Sequence, residues 1–205
     1  DDHPVLANQL REMENLMIYD GDKLYLQPCV SPVWDTAWAI IALHESGMPG
    51  ADSSLQKAGQ WLLSKEVRHY GDWALKCKVD EPSGWYFQYA NEFYPDTDDS
   101  AAVLMALQRV SLPERMHKEK AVLRGLKWLL AMQCDDGGWG AFDRNNNKAI
   151  LNHIPFADFN ALLDPSTSDV TGRCLDFLGR IGFSKSSHHI QKAIDYLQKE
   201  QEKDG

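Results

Sequence analysis

A Trp-Leu-Leu helix signature returns at nearly even intervals along this chain, and that return restricts the folds open to it. Ala58-Gly59-Gln60-Trp61-Leu62-Leu63 recurs as Arg124-Gly125-Leu126-Lys127-Trp128-Leu129-Leu130 and again as Lys192-Ala193-Ile194-Asp195-Tyr196-Leu197. The aromatic positions Trp61, Trp128 and Tyr196 are 67 and 68 residues apart. The first copy is read as running on to Gly71-Asp72-Trp73 and the second to Gly137-Gly138-Trp139, while the third stops at Asp204-Gly205. A second element precedes each copy. It reads Asp35-Thr36-Ala37 leading to Ala42-Leu43, then Asp99-Ser100-Ala101 leading to Ala106-Leu107, and more weakly Val170-Thr171-Gly172 leading to Phe177-Leu178. An acidic or hydroxyl residue ahead of an apolar run marks a capped helix start. Gly47, Pro113 and Gly182 follow the ends, as terminators do. Ala37, Ile40, Ile41 and His44, and likewise Val103, Leu104 and Leu107, fall at helical spacing.

Each repeat is thus two helices, one opening at the acidic or hydroxyl residue and one carrying Trp-Leu-Leu. Paired helices of this length must stack on their neighbours to bury their apolar faces. The expectation is an all-α array, open or closed into a ring, and periodicity does not separate those two. Strand-like alternation is confined to short stretches such as Trp85–Tyr89. The chain does not begin with Met and ends inside a repeat, so it reads as a piece of a longer protein.

With 43% apolar and 25% charged residues, the 205-residue chain is globular in composition. A formal charge of -9, without a basic cluster, argues against a nucleic-acid partner. Cys29, Cys77, Cys134 and Cys174 are scattered singly. They form neither a zinc-ligand pair nor a disulfide framework, and free, mostly buried thiols in a reducing compartment are expected. The longest apolar runs, near Trp38–Leu43 and Ala101–Leu107, are too short to span a bilayer.

The sharpest chemical feature is Asp96-Thr97-Asp98-Asp99-Ser100, after Phe93-Tyr94-Pro95. Acidic residues at a helix head commonly serve as caps and suit the dipole. They also offer a Brønsted acid, because neighbouring carboxylates cannot all ionise cheaply and one can keep its proton near neutrality. The two roles are compatible. Trp34, Trp85, Tyr86, Phe87, Tyr89, Phe93, Tyr94, Trp139, Phe142, Phe156 and Phe159 cluster near turns and helix starts. Singly each is an ordinary core residue. Together, beside an acid, they suggest a cavity that holds a hydrocarbon and stabilises carbocations through ring faces. His188-His189 has no partner at metal spacing, and Asp143-Arg144-Asn145-Asn146-Asn147 lacks the Gly and distal Glu of a calcium loop. No metal site, nucleophile elbow or phosphate-binding loop is read.

These residues resemble a known family. Gly125 to Trp139 is similar to the QW motif of triterpene cyclases, and Asp96-Thr97-Asp98-Asp99 to their DxDD protonation motif. Pro32-Val33-Trp34-Asp35-Thr36-Ala37, Gly140-Ala141-Phe142-Asp143 and Asn152-His153-Ile154-Pro155-Phe156 resemble bacterial squalene–hopene cyclases in the same order. The resemblance implies a helical-repeat α/α toroid of the α6–α6 barrel type, here an incomplete barrel. Residues 1–205 would be part of the catalytic barrel of a larger two-domain cyclase, with 1–30 a linker or inter-domain segment. It implies a cofactor-free reaction in which Asp98 protonates a terminal alkene of squalene, flanked by Asp96 and Asp99. Trp34, Phe87 and Phe142 would line the cavity, and Phe156, Ala157 and Phe159 would lie near the substrate entrance. Asp169 matches a further acidic position near the initiation site.

Two positions depart from the family pattern. Arg173 stands where some members carry a His that hydrogen-bonds the catalytic Asp, and Phe142 where some carry Tyr. A guanidinium supplies charge and donors but does not shuttle protons. The phenyl ring keeps the π face and loses the hydroxyl. The resemblance further implies a monotopic, peripheral seat on the cytoplasmic side of a bacterial membrane, through parts outside this chain, and a homodimer as one possible assembly. The piece by itself is expected to be inactive. Related oxidosqualene cyclases have a single Asp followed by Cys-Thr-Ala, and class II diterpene cyclases share DxDD without this density of QW repeats. A non-enzymatic helical scaffold, binding a partner on its concave face, is the competing class.

Overall fold

The computed structural model describes residues 3–27, 30–89, 91–153 and 162–203. Helix α1 (Pro4–Asn15) is followed by an antiparallel hairpin, β1 (Met17–Asp20) with β2 (Lys23–Leu26), in register Met17 to Leu26. These elements occupy the segment read as a linker, and none of their side chains is buried. The hairpin was not legible as alternation, because both its faces carry apolar side chains.

Three helix pairs follow: α2 (Pro32–Glu45) with α3 (Ser53–Ser64), α4 (Thr97–Arg109) with α5 (Arg115–Met132), and α6 (Ser168–Arg180) with α7 (His188–Glu200). Helices α2, α4 and α6 pack side by side as an inner row, α4 in the middle. Each of α3, α5 and α7 backs onto its own inner partner. This is the all-α, two-layered helical repeat of an α/α toroid, here an arc of three pairs. Among the described residues the only sheet is the hairpin.

The inner row explains the composition of α4. It meets helices on both flanks and behind, so every residue from Asp99 to Leu107 is buried. That is why its apolar residues run on instead of alternating at one helical face. Gly125 on α5 lets the outer helix approach: a Cβ there would come within 2.9 Å of the Trp85 ring and 3.0 Å of Leu104.

Each inner helix begins about one turn before the position read from the sequence. The N-caps are Ser31, Asp96 and Thr167 rather than Asp35, Asp99-Ser100 and Thr171. The reason is visible in the side chains of the expected caps. Ser100 and Thr171 are fully buried, and their hydroxyls accept from the backbone N–H of Trp85 (2.8 Å) and Trp139 (3.1 Å). They lock a neighbouring turn instead of capping their own helix. Gly47 and Gly182 do end α2 and α6, both at positive φ, as read.

A second correction concerns the repeat itself. The counterpart of Trp139 is Trp85, not Trp73. Both indoles donate to a carbonyl of the Trp-Leu-Leu helix, Trp85 to Leu62 and Trp139 to Leu129, each at 2.7 Å. Both residues form an isolated bridge to an N-cap, Trp85 to Asp96 and Trp139 to Thr167. The strand-like reading of Trp85–Tyr89 reduces to that bridge. Between Trp61 and Trp85 the chain makes a longer excursion that includes the short helical turn Asp72–Leu75, which displaces the motif in sequence while leaving it in place in space.

Candidate active site

The N-terminus of α4 is where the acidic motif meets the rest of the fold. Asp96 caps the helix, its Oδ1 accepting from the Asp99 N–H at 2.6 Å. Its own N–H donates to the Trp85 carbonyl at 2.9 Å. Asp98 and Asp99 lie in the first turn, where the helix dipole favours anions. A pocket of about 290 Å³ opens over this turn and is lined by Asp96, Asp98 and Asp99 together with Trp34, Phe87 and Phe142. Six of the residues singled out in the sequence therefore converge from three separate segments.

The three carboxyls differ in surroundings. Burial pushes Asp96 well above the usual carboxylate range, and the neighbouring charge of Asp99 reinforces the shift. Asp99, likewise buried, is raised to about 6. The two interact directly and titrate as a coupled pair, both carboxyls raised chiefly by burial. Asp98 is half-buried and contacts the guanidinium of Arg173 through Oδ1 and Nε. Burial raises Asp98, and the Arg173 charge and hydrogen bond pull it back down. Arg173 thus stabilises the Asp98 carboxylate and makes the corresponding acid a stronger donor.

Arg173 itself is placed by three contacts. Besides Asp98, it meets Asp169 one turn earlier on α6 at 3.7 Å, and its guanidinium lies 5.2 Å from the Trp34 ring centre. Trp34 in turn packs edge-to-face with Trp38 at 5.6 Å. Asp169 does not line the pocket. Its carboxylate is mostly exposed and is held below the usual range by a hydrogen bond from Thr167, with Arg173 adding to the effect. Phe156 and Phe159, with Ala157, lie outside the described residues.

Sequence reading missed several contributors. Gln88, Asn91 and Ala141 complete the pocket lining. Thr97, between two of the acids, is fully buried; its N–H donates to the Ala141 carbonyl at 2.8 Å and its hydroxyl to the Gly140 carbonyl at 2.5 Å. Asp164 takes three backbone N–H groups of the same turn, those of Ala141, Phe142 and Asp143, at 2.9, 2.6 and 2.6 Å. Thr97 and Ala141 lie inside the quoted motifs without a role assigned there, whereas Asp164 is revealed only by its proximity in space to Gly140-Ala141-Phe142-Asp143. Among the described residues no group of three His, Cys, Asp or Glu side chains is placed to hold a metal ion.

The arrangement combines a buried acid pair, a third acid matched to a fixed cation, and aromatic faces across a small pocket. It is suited to protonating an apolar, weakly basic group and stabilising the resulting cation against ring faces.

The family model for the squalene-hopene cyclase C-terminal domain matches residues 30–205. A squalene–hopene cyclase from Zymomonas mobilis is 44% identical over 214 residues, covering 100% of this chain and 32% of that protein. One from Alicyclobacillus acidocaldarius is 39% identical over 207 residues, covering 99% of this chain and 32% of its own length. A dammaradiene synthase from Dryopteris crassirhizoma is 42% identical over 211 residues, 98% of this chain and 31% of that protein. The chain spans about a third of the length of these relatives.

Proposed function

Because this chain belongs to the squalene-hopene cyclase C-terminal domain family, we propose that it carries the initiating acid of a class II triterpene cyclase that converts squalene to hopene or hopanol. The observation that carries the reading is the contact of Asp98 with Arg173 at the edge of a pocket faced by Trp34, Phe87 and Phe142. In this reading the π pair of a terminal alkene takes the proton of the Asp98 carboxyl. The O–H bond breaks, a tertiary cation forms, and the new carboxylate is matched by the Arg173 guanidinium.

Successive alkenes then attack the migrating cation and close rings, and proton loss or capture of water ends the cascade. Ring faces of Trp34, Phe87 and Phe142 stabilise the intermediate charges. An unactivated alkene is a poor base, which gives a physical reason for an acid backed by two more carboxyls. Asp96 and Asp99 hold a proton beside Asp98 and disfavour further negative charge there. Positioning of the folded substrate and a pre-set electrostatic environment supply the rest of the rate.

Squalene partitions into the apolar part of a bilayer, so the same proposal includes a peripheral, monotopic membrane seat through parts outside this chain, on the cytoplasmic side of a bacterial membrane. No helix among the described residues is long and apolar enough to cross a membrane. Flotation with phospholipid vesicles and light scattering test the membrane seat and a homodimeric state. A product other than hopene is the second reading, favoured by the 42% identity to a protein named dammaradiene synthase.

The deciding experiment incubates the full-length protein with squalene and analyses the extract for cyclised hydrocarbons, with Asp98→Asn in parallel. The expected result is pentacyclic product from the unaltered protein and a loss of about 10²-fold to 10⁴-fold in the variant, the range of a general acid. Equal product from both would move the proton donor elsewhere. No cyclised product from a folded, detergent-solubilised protein would overturn the squalene assignment.

A further inference from the structure

Phe142 is 44% exposed, so little packing holds its ring over the pocket. Its backbone is held instead. The carboxylate of Asp164 accepts from the N–H groups of Ala141, Phe142 and Asp143, all within 2.9 Å. On the other side of the turn, the carbonyls of Gly140 and Ala141 accept from the side chain and N–H of Thr97. Asp164 is itself fixed, since its N–H donates to the Asn146 carbonyl at 2.9 Å and the two residues form a bridge. Asn146 also donates from its side chain to Asp143 at 2.9 Å and to the Leu162 carbonyl at 3.1 Å. The turn is closely fitted as well: a Cβ on Gly140 would come within 2.7 Å of the Asp164 carbonyl.

A continuous chain of short hydrogen bonds therefore runs from Asp164 through the Phe142 turn to Thr97. Thr97 sits between Asp96 and Asp98. Three amides converging on one carboxylate are charge-assisted bonds, stronger than neutral ones. They define where the Phe142 backbone lies relative to the acid.

We propose that Asp164 is a positioning residue that fixes the Phe142 ring relative to the Asp98 carboxyl and thereby sets how far cyclisation proceeds before a cation is lost. This rests on the reading of the pocket as a cation-cyclising site. Asp164 touches neither substrate nor pocket in this role; it acts through the turn.

The test uses the full-length protein with squalene and reads the ratio of partly cyclised to pentacyclic products. Asp164→Ala is expected to raise that ratio about 10-fold to 100-fold, the scale of a small misplacement of a reacting group, and to give the same partial products as Phe142→Ala. Asp164→Asn, which keeps shape and one acceptor oxygen, should move the ratio in the same direction by less and remains informative if the alanine variant does not fold. In a Phe142→Ala background Asp164→Asn should leave the ratio unchanged, since its effect passes through that ring. Lower turnover at an unaltered product ratio in Asp164→Asn would overturn the proposal, as would an undiminished effect without Phe142. Failure of the unaltered protein to cyclise squalene is a separate result, and it strikes the function itself.

Discussion

Two turns in this molecule are built alike and end differently. In one, Trp85 bridges Asp96, hydrogen-bonds Ser100 through its backbone and reaches the Leu62 carbonyl through its indole. In the other, Trp139 bridges Thr167, hydrogen-bonds Thr171 and reaches Leu129. Even the closing bond is repeated, from Val67 N–H to the Gly84 carbonyl and from Cys134 N–H to the Gly138 carbonyl. The helix heads that these turns support carry different chemistry. The first presents Asp96, Asp98 and Asp99; the second presents Asp169 and, one turn on, Arg173. The frame is repeated and the reactive groups are not. The two heads are complementary, since the acid of one contacts the guanidinium of the other.

The strongest way to break this comparison is at the tryptophans. Trp85→Ala and Trp139→Ala should each lower stability by about 3–5 kcal/mol, as for other fully buried aromatic truncations, measured by denaturant unfolding of the full-length protein. Similar costs would confirm equivalent frames. A cost well below that range in only one would separate them.

The next effect concerns the contact between the heads. Arg173→Gln removes the charge that favours the Asp98 carboxylate and should slow squalene turnover by about 10-fold to 100-fold, equivalent to the 1.5–3 kcal/mol of a hydrogen bond to a charged group. Arg173→His should recover part of the loss at low pH, where imidazole is charged. Equal turnover in all three would show that Arg173 is not coupled to the acid.

The smallest effect is on stability against pH. The Asp99 carboxyl is raised to about 6 in the folded protein, against about 3.9 in an unfolded chain. Between those values the unfolded chain releases a proton that the folded one keeps. Its contribution to stability is therefore fully present below about pH 4 and is lost as pH rises through about 6. The raised Asp96 contributes a loss of the same sign. Asp99→Asn should flatten the fall in Tm over this interval, only in part, because Asp96 keeps its own burial cost. An unchanged slope would place Asp99 in a better-solvated setting.

Much of this was legible in residue patterns. The repeat set the helix pairs, and three carboxylates at a helix head singled out the acidic turn, because each of these signals is carried by residues close together in sequence. What failed did so for physical reasons. Trp73 was matched to Trp139 because it is the nearer tryptophan in sequence, whereas Trp85 occupies the matching position after a longer loop. Ser100 and Thr171 were read as caps because a hydroxyl before an apolar run usually is one; here each is spent on the neighbouring turn. Asp164 gave no signal at all, since a lone acid in a loop acquires its role only when a distant turn is folded against it. The buried Glu66, which holds Arg124 at 2.6 Å and accepts from Ser83 at 2.8 Å, was missed likewise. It stands where the second copy has Gln133, which bonds the His189 carbonyl at 2.9 Å at the start of α7. Both residues tie one outer helix to the next.

The middle position of α4 also bears on time. In a stacked array, opening is costly where a unit is packed on both flanks. Helix α4 is flanked by α2 and α6 and buries every residue from Asp99 to Leu107, so its amides should be slow to exchange with solvent deuterium. The three carboxyls are thus mounted on an element that opens rarely, so their mutual arrangement should outlast the faster motions of the loops around them.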